Sequence, residues 1–194
     1  MGRSMRIGVS LSCILGMLAF LALPAAATTM VRYSLKELTL NADAIVVGKF
    51  KTVRSVWDEE KGKIYTYLTV DVSETLKGEG RKSLTIRQLG GTVGKLVMKV
   101  TGTPTLAPEE EAVLFLHKTQ AGEHLIYGLS QGVFRVVADP GGGAKRVRAI
   151  NSSVDLLDPK TKKIVAAGGE GGADELSLDG FLQRVRQYLG EGGK

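Results

Sequence analysis

The sequence predicts a mainly β protein: an antiparallel barrel or sandwich carrying a short N-terminal helix and a C-terminal amphipathic helix. Three observations carry that expectation. First, residues 64–73 alternate without a break: Ile64, Thr66, Leu68, Val70 and Val72 share one phase, and Tyr65, Tyr67, Thr69, Asp71 and Ser73 the other. That is the period of a strand with one face in water. Second, short apolar runs recur between turn residues from about residue 44 to 150, with no helical pattern separating them, the spacing of an all-β fold. Third, Leu178, Phe181, Leu182, Val185 and Leu189 fall on one helical face, preceded by the potential cap Ser177 and followed by Gly190 as a stop.

Taken from the N-terminus, residues 1–27 read as a secretory signal peptide. Arg3 and Arg6 form a basic front, residues 7–23 are apolar, and Ala25 and Ala27 mark a small-residue cleavage site. The apolar run is broken by Gly8, Ser10, Ser12 and Gly16 and ends at Pro24, short of the roughly 20 residues a spanning helix needs. Cleavage, export to the periplasm or medium, and no membrane association afterwards are therefore expected. The one cysteine, Cys13, sits in the middle of this run, where a lipid-attachment cysteine would follow it. The exported chain then has no thiol, which excludes disulfide stapling and cysteine chemistry. Losing Arg3 and Arg6 lowers the formal charge from +6 to +4, only mildly basic. About 165 residues remain, enough to bury the core of one domain without staples.

Ser34 followed by Glu37 forms a capping-box pattern, with Leu35, Leu38 and Leu40 as apolar positions of a helix through about Ala42. Residues 44–57 form a strand in which Val46, Gly48 and Phe50 keep one phase and Val53 takes the other, so a bulge or bend is expected near Lys51. A charged turn at 58–63 leads into the alternating strand. Lys77-Gly78-Glu79-Gly80 turns into a third strand at 84–89, which Gly90-Gly91 ends. A short strand at 96–100 and a loop with Pro104 and Pro108 precede residues 112–116, apolar at every position and hence a strand covered on both faces. Strands at 125–127, 133–137 and 146–150 complete the β domain, taken as 28–150 with its helix. Residues 151–176, containing Gly168-Gly169-Glu170-Gly171-Gly172, read as a flexible segment, and 177–190 as the C-terminal helix.

Several residues in order narrow the fold: Asn41-Ala42-Asp43 entering a long strand, Ile64-Tyr65 opening the next, Lys77-Gly78 closing it, then a strand containing Ile86. This order resembles the first half of the netrin-like, or tissue-inhibitor-of-metalloproteinase, module and implies an OB-like five-stranded barrel. A broader set of pieces is similar to a family of exported bacterial proteins with no assigned activity. These pieces are Thr28-Thr29-Met30-Val31-Arg32, Leu35-Lys36-Glu37-Leu38, Ala42-Asp43, Ser55-Val56-Trp57, Ile64-Tyr65-Thr66-Tyr67, Leu76-Lys77-Gly78, Gly90-Gly91-Thr92-Val93-Gly94 and Gln131-Gly132-Val133-Phe134-Arg135-Val136. The inhibitor resemblance implies zinc chelation by an N-terminal cysteine. Here the chain would begin near Thr28, and ordering that terminus without a disulfide costs chain entropy.

The chemistry-bearing residues point to binding more than catalysis. His117 and His124, the only histidines, flank a hairpin turn at 119–123 and are weak metal candidates with Glu123, short of the three or four ligands zinc takes. Gly90 to Lys95 lacks the glycine spacing and the following Ser or Thr of a phosphate loop. Glu109-Glu110-Glu111 is consecutive, whereas calcium loops place ligands at alternate positions; it reads as a solvated lead-in to the buried strand. Ser130 lacks a nucleophile-elbow context. Neither a catalytic residue nor a cofactor is assigned. Tyr65 and Tyr67 beside Lys49, Lys51 and Arg54 offer a surface of the kind that OB barrels use for nucleic acid, but export argues for a protein partner. The expectation is a non-catalytic, exported, protein-binding module contacting its partner through Tyr65, Tyr67, Gly90, Gly91 and Gly94. The alternatives are a secreted metalloprotease inhibitor or companion protein, and a hydrolase or metal-dependent enzyme.

Overall fold

The computed structural model describes residues 29–139, 142–150, 155–165 and 176–192. The segment expected to be a signal peptide, with Ala25 and Ala27, and the glycine-rich stretch at 168–172 lie outside the described residues. Helix α1 (Leu35–Asn41) starts at Ser34, whose hydroxyl accepts from the Glu37 N–H while the Glu37 carboxylate accepts from the Ser34 N–H at 2.8 Å. Both halves of the predicted capping box are formed.

The strands among the described residues are β1 (Thr29–Val31), β2 (Ala44–Asp58), β3 (Lys63–Lys77), β4 (Ser83–Leu89), β5 (Gly91–Val93), β6 (Leu96–Met98), β7 (Glu111–Lys118), β8 (His124–Ile126), β9 (Val133–Val137), β10 (Arg146–Ala149), β11 (Asp155–Leu157) and β12 (Ile164–Val165). The main sheet has the order β10-β9-β7-β2-β3-β4-β8, and β8 also pairs with β7. Strands β7, β2, β3, β4 and β8 thus form a ring. Its pairings are antiparallel except for β4 with β8, a parallel contact at Ile86 and His124. The fold is mainly β with two helices, as the alternation predicts.

The phase switch in β2 is a bulge at Lys51: Phe50 pairs with Val70 and Thr52 with Thr69, leaving Lys51 unpaired. Gly48 lies so close to β3 that a Cβ there would stand 2.5 Å from Val70 Cγ1 and 2.7 Å from the Asp71 carbonyl.

Two apolar clusters lie on the two faces of the sheet. Inside the ring, Val46, Phe50, Leu68, Val70, Ile86 and Leu114 pack together. On the outside, Ile45, Val47, Phe115 and Phe134 pack against α1 and the C-terminal helix α2 (Leu178–Gly192) through Leu38, Phe181 and Val185. Strand β7 contributes alternate residues to both, so residues 112–116 are all fully buried.

Two details depart from the sequence expectations. Helix α2 continues past Gly190 to Gly192, and the Lys36–Glu191 ion pair at 2.9 Å ties its last turn to α1. Within 151–176, residues 155–165 include β11 and β12, and β11 pairs in parallel with β1. Strands this short carry no periodic signal of their own.

Candidate functional site

Direct pairs in a sheet share a face, so register decides which candidate residues meet. Val56 pairs with Tyr65 and Tyr65 with Leu89, while Arg54 pairs with Tyr67 and Tyr67 with Arg87. Two adjacent rows on the outer face of β2, β3 and β4 therefore combine apolar, aromatic and basic groups. Tyr65 is flanked by cations, with the Arg87 guanidinium 4.8 Å and the Lys61 ammonium 5.5 Å from its ring centroid. Arg87 also pairs with Glu123 at 2.9 Å. Tyr67 is the more exposed of the two tyrosines.

The glycines go to the other side. Leu89 leads into Gly90 and Gly91, and the β5–β6 hairpin folds back across the inner face of β2 and β3. Gly91 has φ +138°, and a Cβ there would collide with Thr66 Oγ1 and Ser55 Oγ. Only glycine permits both that conformation and that approach. Thr66 donates to the Gly90 carbonyl at 2.6 Å, securing the crossing. Gly94 sits in the exposed hairpin turn with φ +57°. Tyr65 and Tyr67 thus stand on one face of β3, and Gly90 and Gly91 pack on the other.

Between the hairpin, the loop 99–106 and the inner ends of β3 and β4 lies a cavity of about 840 Å³. Gln88 and Ser130 line it, and Gln88 Oε1 and Ser130 Oγ are buried with no hydrogen-bond partner. Sequence reasoning weighed Ser130 only as a nucleophile and passed over Gln88. The alternating Thr101, Thr103 and Thr105, all in the cavity wall, were the legible signal of a polar lining.

The remaining candidates stay apart. Register pairs His124 with Lys118 and His117 with Leu125, so the two imidazoles project from opposite faces of their hairpin. His117 Nδ1 donates to Asp43 at 2.7 Å. Asp43 also accepts the Lys118 N–H, and this hydrogen bond, then the His117 charge, holds its carboxyl below the ordinary range. Burial, then the charges of Lys118 and Arg81, push His124 below the usual histidine value. Among the described residues, no three His, Cys, Asp or Glu side chains are grouped to hold a metal ion. The acidic run diverges: Glu109 pairs with Lys49, Glu110 with Arg135 at 3.3 Å and Glu111 with Lys145 at 2.6 Å.

The chain matches no family model and no curated protein. Among the described residues no helix is long and apolar enough to cross a membrane.

Proposed function

We propose that this chain is an exported, non-catalytic binding protein built on an OB-type barrel, and that its partner is a protein. One observation supports the reading above the rest. Of the nine exposed large apolar side chains among the described residues, six, namely Val56, Trp57, Tyr67, Leu89, Leu96 and Val97, belong to β2, β3, β4 and the β5–β6 hairpin. At the end of the β2–β3 hairpin away from both helices, Val56, Tyr67 and Leu89 share the outer face, while Trp57 and the β5–β6 hairpin with Leu96 and Val97 lie to the inner side. An apolar concentration rimmed by Arg54, Lys61 and Arg87 is the composition of a protein-contact surface. Leu96 and Val97, 54% and 60% exposed, gain most from being covered.

The test is affinity capture from native envelope and culture medium with the mature chain as bait, beside a Val56→Ser, Trp57→Ser, Tyr67→Ser variant that retains the wild-type circular dichroism spectrum. A partner held by the wild type, rebound after purification and lost by the variant is the expected result. Equal capture by both baits sinks the proposed surface.

A further inference from the structure

The cavity under the β5–β6 hairpin carries features that the exposed apolar end does not use. Its volume of about 840 Å³ lies within the range of small-ligand sites. Ser130 is 2% exposed, and its hydroxyl has no hydrogen-bond partner. Such a group is costly to bury, and proteins ordinarily pair it. Its position is held from both sides. Gly128 and Leu129 immediately before it adopt φ +71° and +56°, and Leu129 pays the steric penalty that glycine escapes. The Ser130 N–H then donates to the Gly102 carbonyl at 2.9 Å, locking this turn to the cavity loop.

Gln88 is oriented with equal definition. Its Nε2 donates to the Pro104 carbonyl at 3.2 Å, which leaves Oε1 as the buried acceptor without a donor. The cavity therefore presents one obligatory acceptor and one hydroxyl able to donate or accept. Val53, Leu68, Leu106 and Ile150 supply an aliphatic wall. Among the lining residues there is neither a carboxylate nor an aromatic ring, and the charged ones are Lys99 and Arg135, the latter paired with Glu110.

From this lining we infer that the cavity is a recognition site for an aliphatic peptide segment. A peptide N–H donates to Gln88 Oε1, a carbonyl accepts from Ser130 Oγ, and an aliphatic side chain lies on Val53, Leu68, Leu106 and Ile150. A secondary amide beside an aliphatic group brings both hydrogen-bonding functions in one unit. A fatty carboxylate could pair with Lys99 but would set acceptor against acceptor at Gln88. A sugar would lack the aromatic platform on which pyranose faces pack, and a cation would meet no carboxylate. The inference rests on the protein-binding reading and adds to it a second contact, on the opposite face of β3 from Tyr65 and Tyr67.

The test is titration of the mature protein with the capped tripeptide acetyl-Val-Leu-Val-amide, read by amide NMR shifts and calorimetry beside octanoate and maltose. Saturable peptide binding is expected, with shifts centred on Gly90, Gly91, Gly102 and Ser130. Ser130→Ala deletes a hydroxyl that the free protein leaves unpaired, so this variant folds with undiminished thermal stability, yet it binds the peptide about fivefold more weakly, the worth of one neutral hydrogen bond. No peptide binding, tighter binding of octanoate or maltose, or wild-type affinity in both Ser130→Ala and Gln88→Ala overturns the inference. Peptide binding that is lost in these variants upholds it even if the exposed apolar end captures no partner, so the two readings fail separately.

Discussion

The two halves of the β2–β3 hairpin share one ladder and have different surroundings. At the base, Ile45 and Val47 turn outward beneath the two helices, and Val46 and Phe50 turn into the ring; all four are at most 3% exposed. In the far half, Ile64, Thr66 and Leu68 are at most 5% exposed on the inner face, while Val56 and Tyr67 are each 37% exposed on the outer one. The ladder is continuous through both halves, with register shifts confined to the base, between Ile45 and Val46, between Val47 and Gly48 and at the Lys51 bulge. The difference lies in the supply of cover: α1 and α2 extend over the base only, so the far half keeps an uncovered outer face and receives the β5–β6 hairpin and its cavity on the inner. Burial on both faces concentrates stability at the base, and the surface free for recognition is what the helices leave open.

Substitutions should follow that division. The largest loss is expected for Phe115→Ala, which empties a fully buried site at the base where the ring packs edge-on to Phe134 at 5.7 Å. Such a deletion costs about 3–5 kcal/mol, measured by urea denaturation. A loss below 1 kcal/mol would mean that the helices add little cover.

A smaller loss is expected for Ser34→Ala, which removes the cap of the covering helix and costs about 1 kcal/mol. The same variant bears on pH. Hydrogen bonds from the Ser34 backbone and hydroxyl hold the Glu37 carboxyl below its ordinary 4.5. A carboxyl depressed in the folded state stabilises the fold above its unfolded pKa, and that contribution is lost as the pH falls through the folded value. Denaturation midpoints compared at pH 7 and below 4.5 should therefore fall less steeply in Ser34→Ala, and a wild-type acid limb would break the link.

The smallest effect belongs to the far half. Tyr67→Ala should cost less than about 1 kcal/mol, the scale of an exposed cross-strand pair, while weakening partner capture. A loss as large as that of Phe115→Ala would erase the contrast between the two halves.

Much of this layout was legible in residues close together in the chain. The capping box at Ser34 and Glu37, the bulge at Lys51, the alternation from Ile64 to Val72 and the continuous apolar run of β7 are local patterns, and each forms where its pattern lies. The three strands of the small β1-β11-β12 sheet were missed because two or three residues hold no period, and pairing with partners distant in the chain makes them strands. The binding candidates were only half legible. Tyr65 and Tyr67 follow from alternation, but the turn of Gly90 and Gly91 onto the opposite face follows from the hairpin crossing Ser55 and Thr66.

By itself the sequence determined a mainly β chain, the faces of its long strands and the caps of its first helix, because backbone period and capping act over a few residues. Tertiary structure alone decided that β8 returns to β7 to close the ring, that α1 and α2 cover only the base, and that Gln88 and Ser130 line one cavity. Those outcomes depend on which distant surfaces exclude water from each other, and no local window of sequence records that choice.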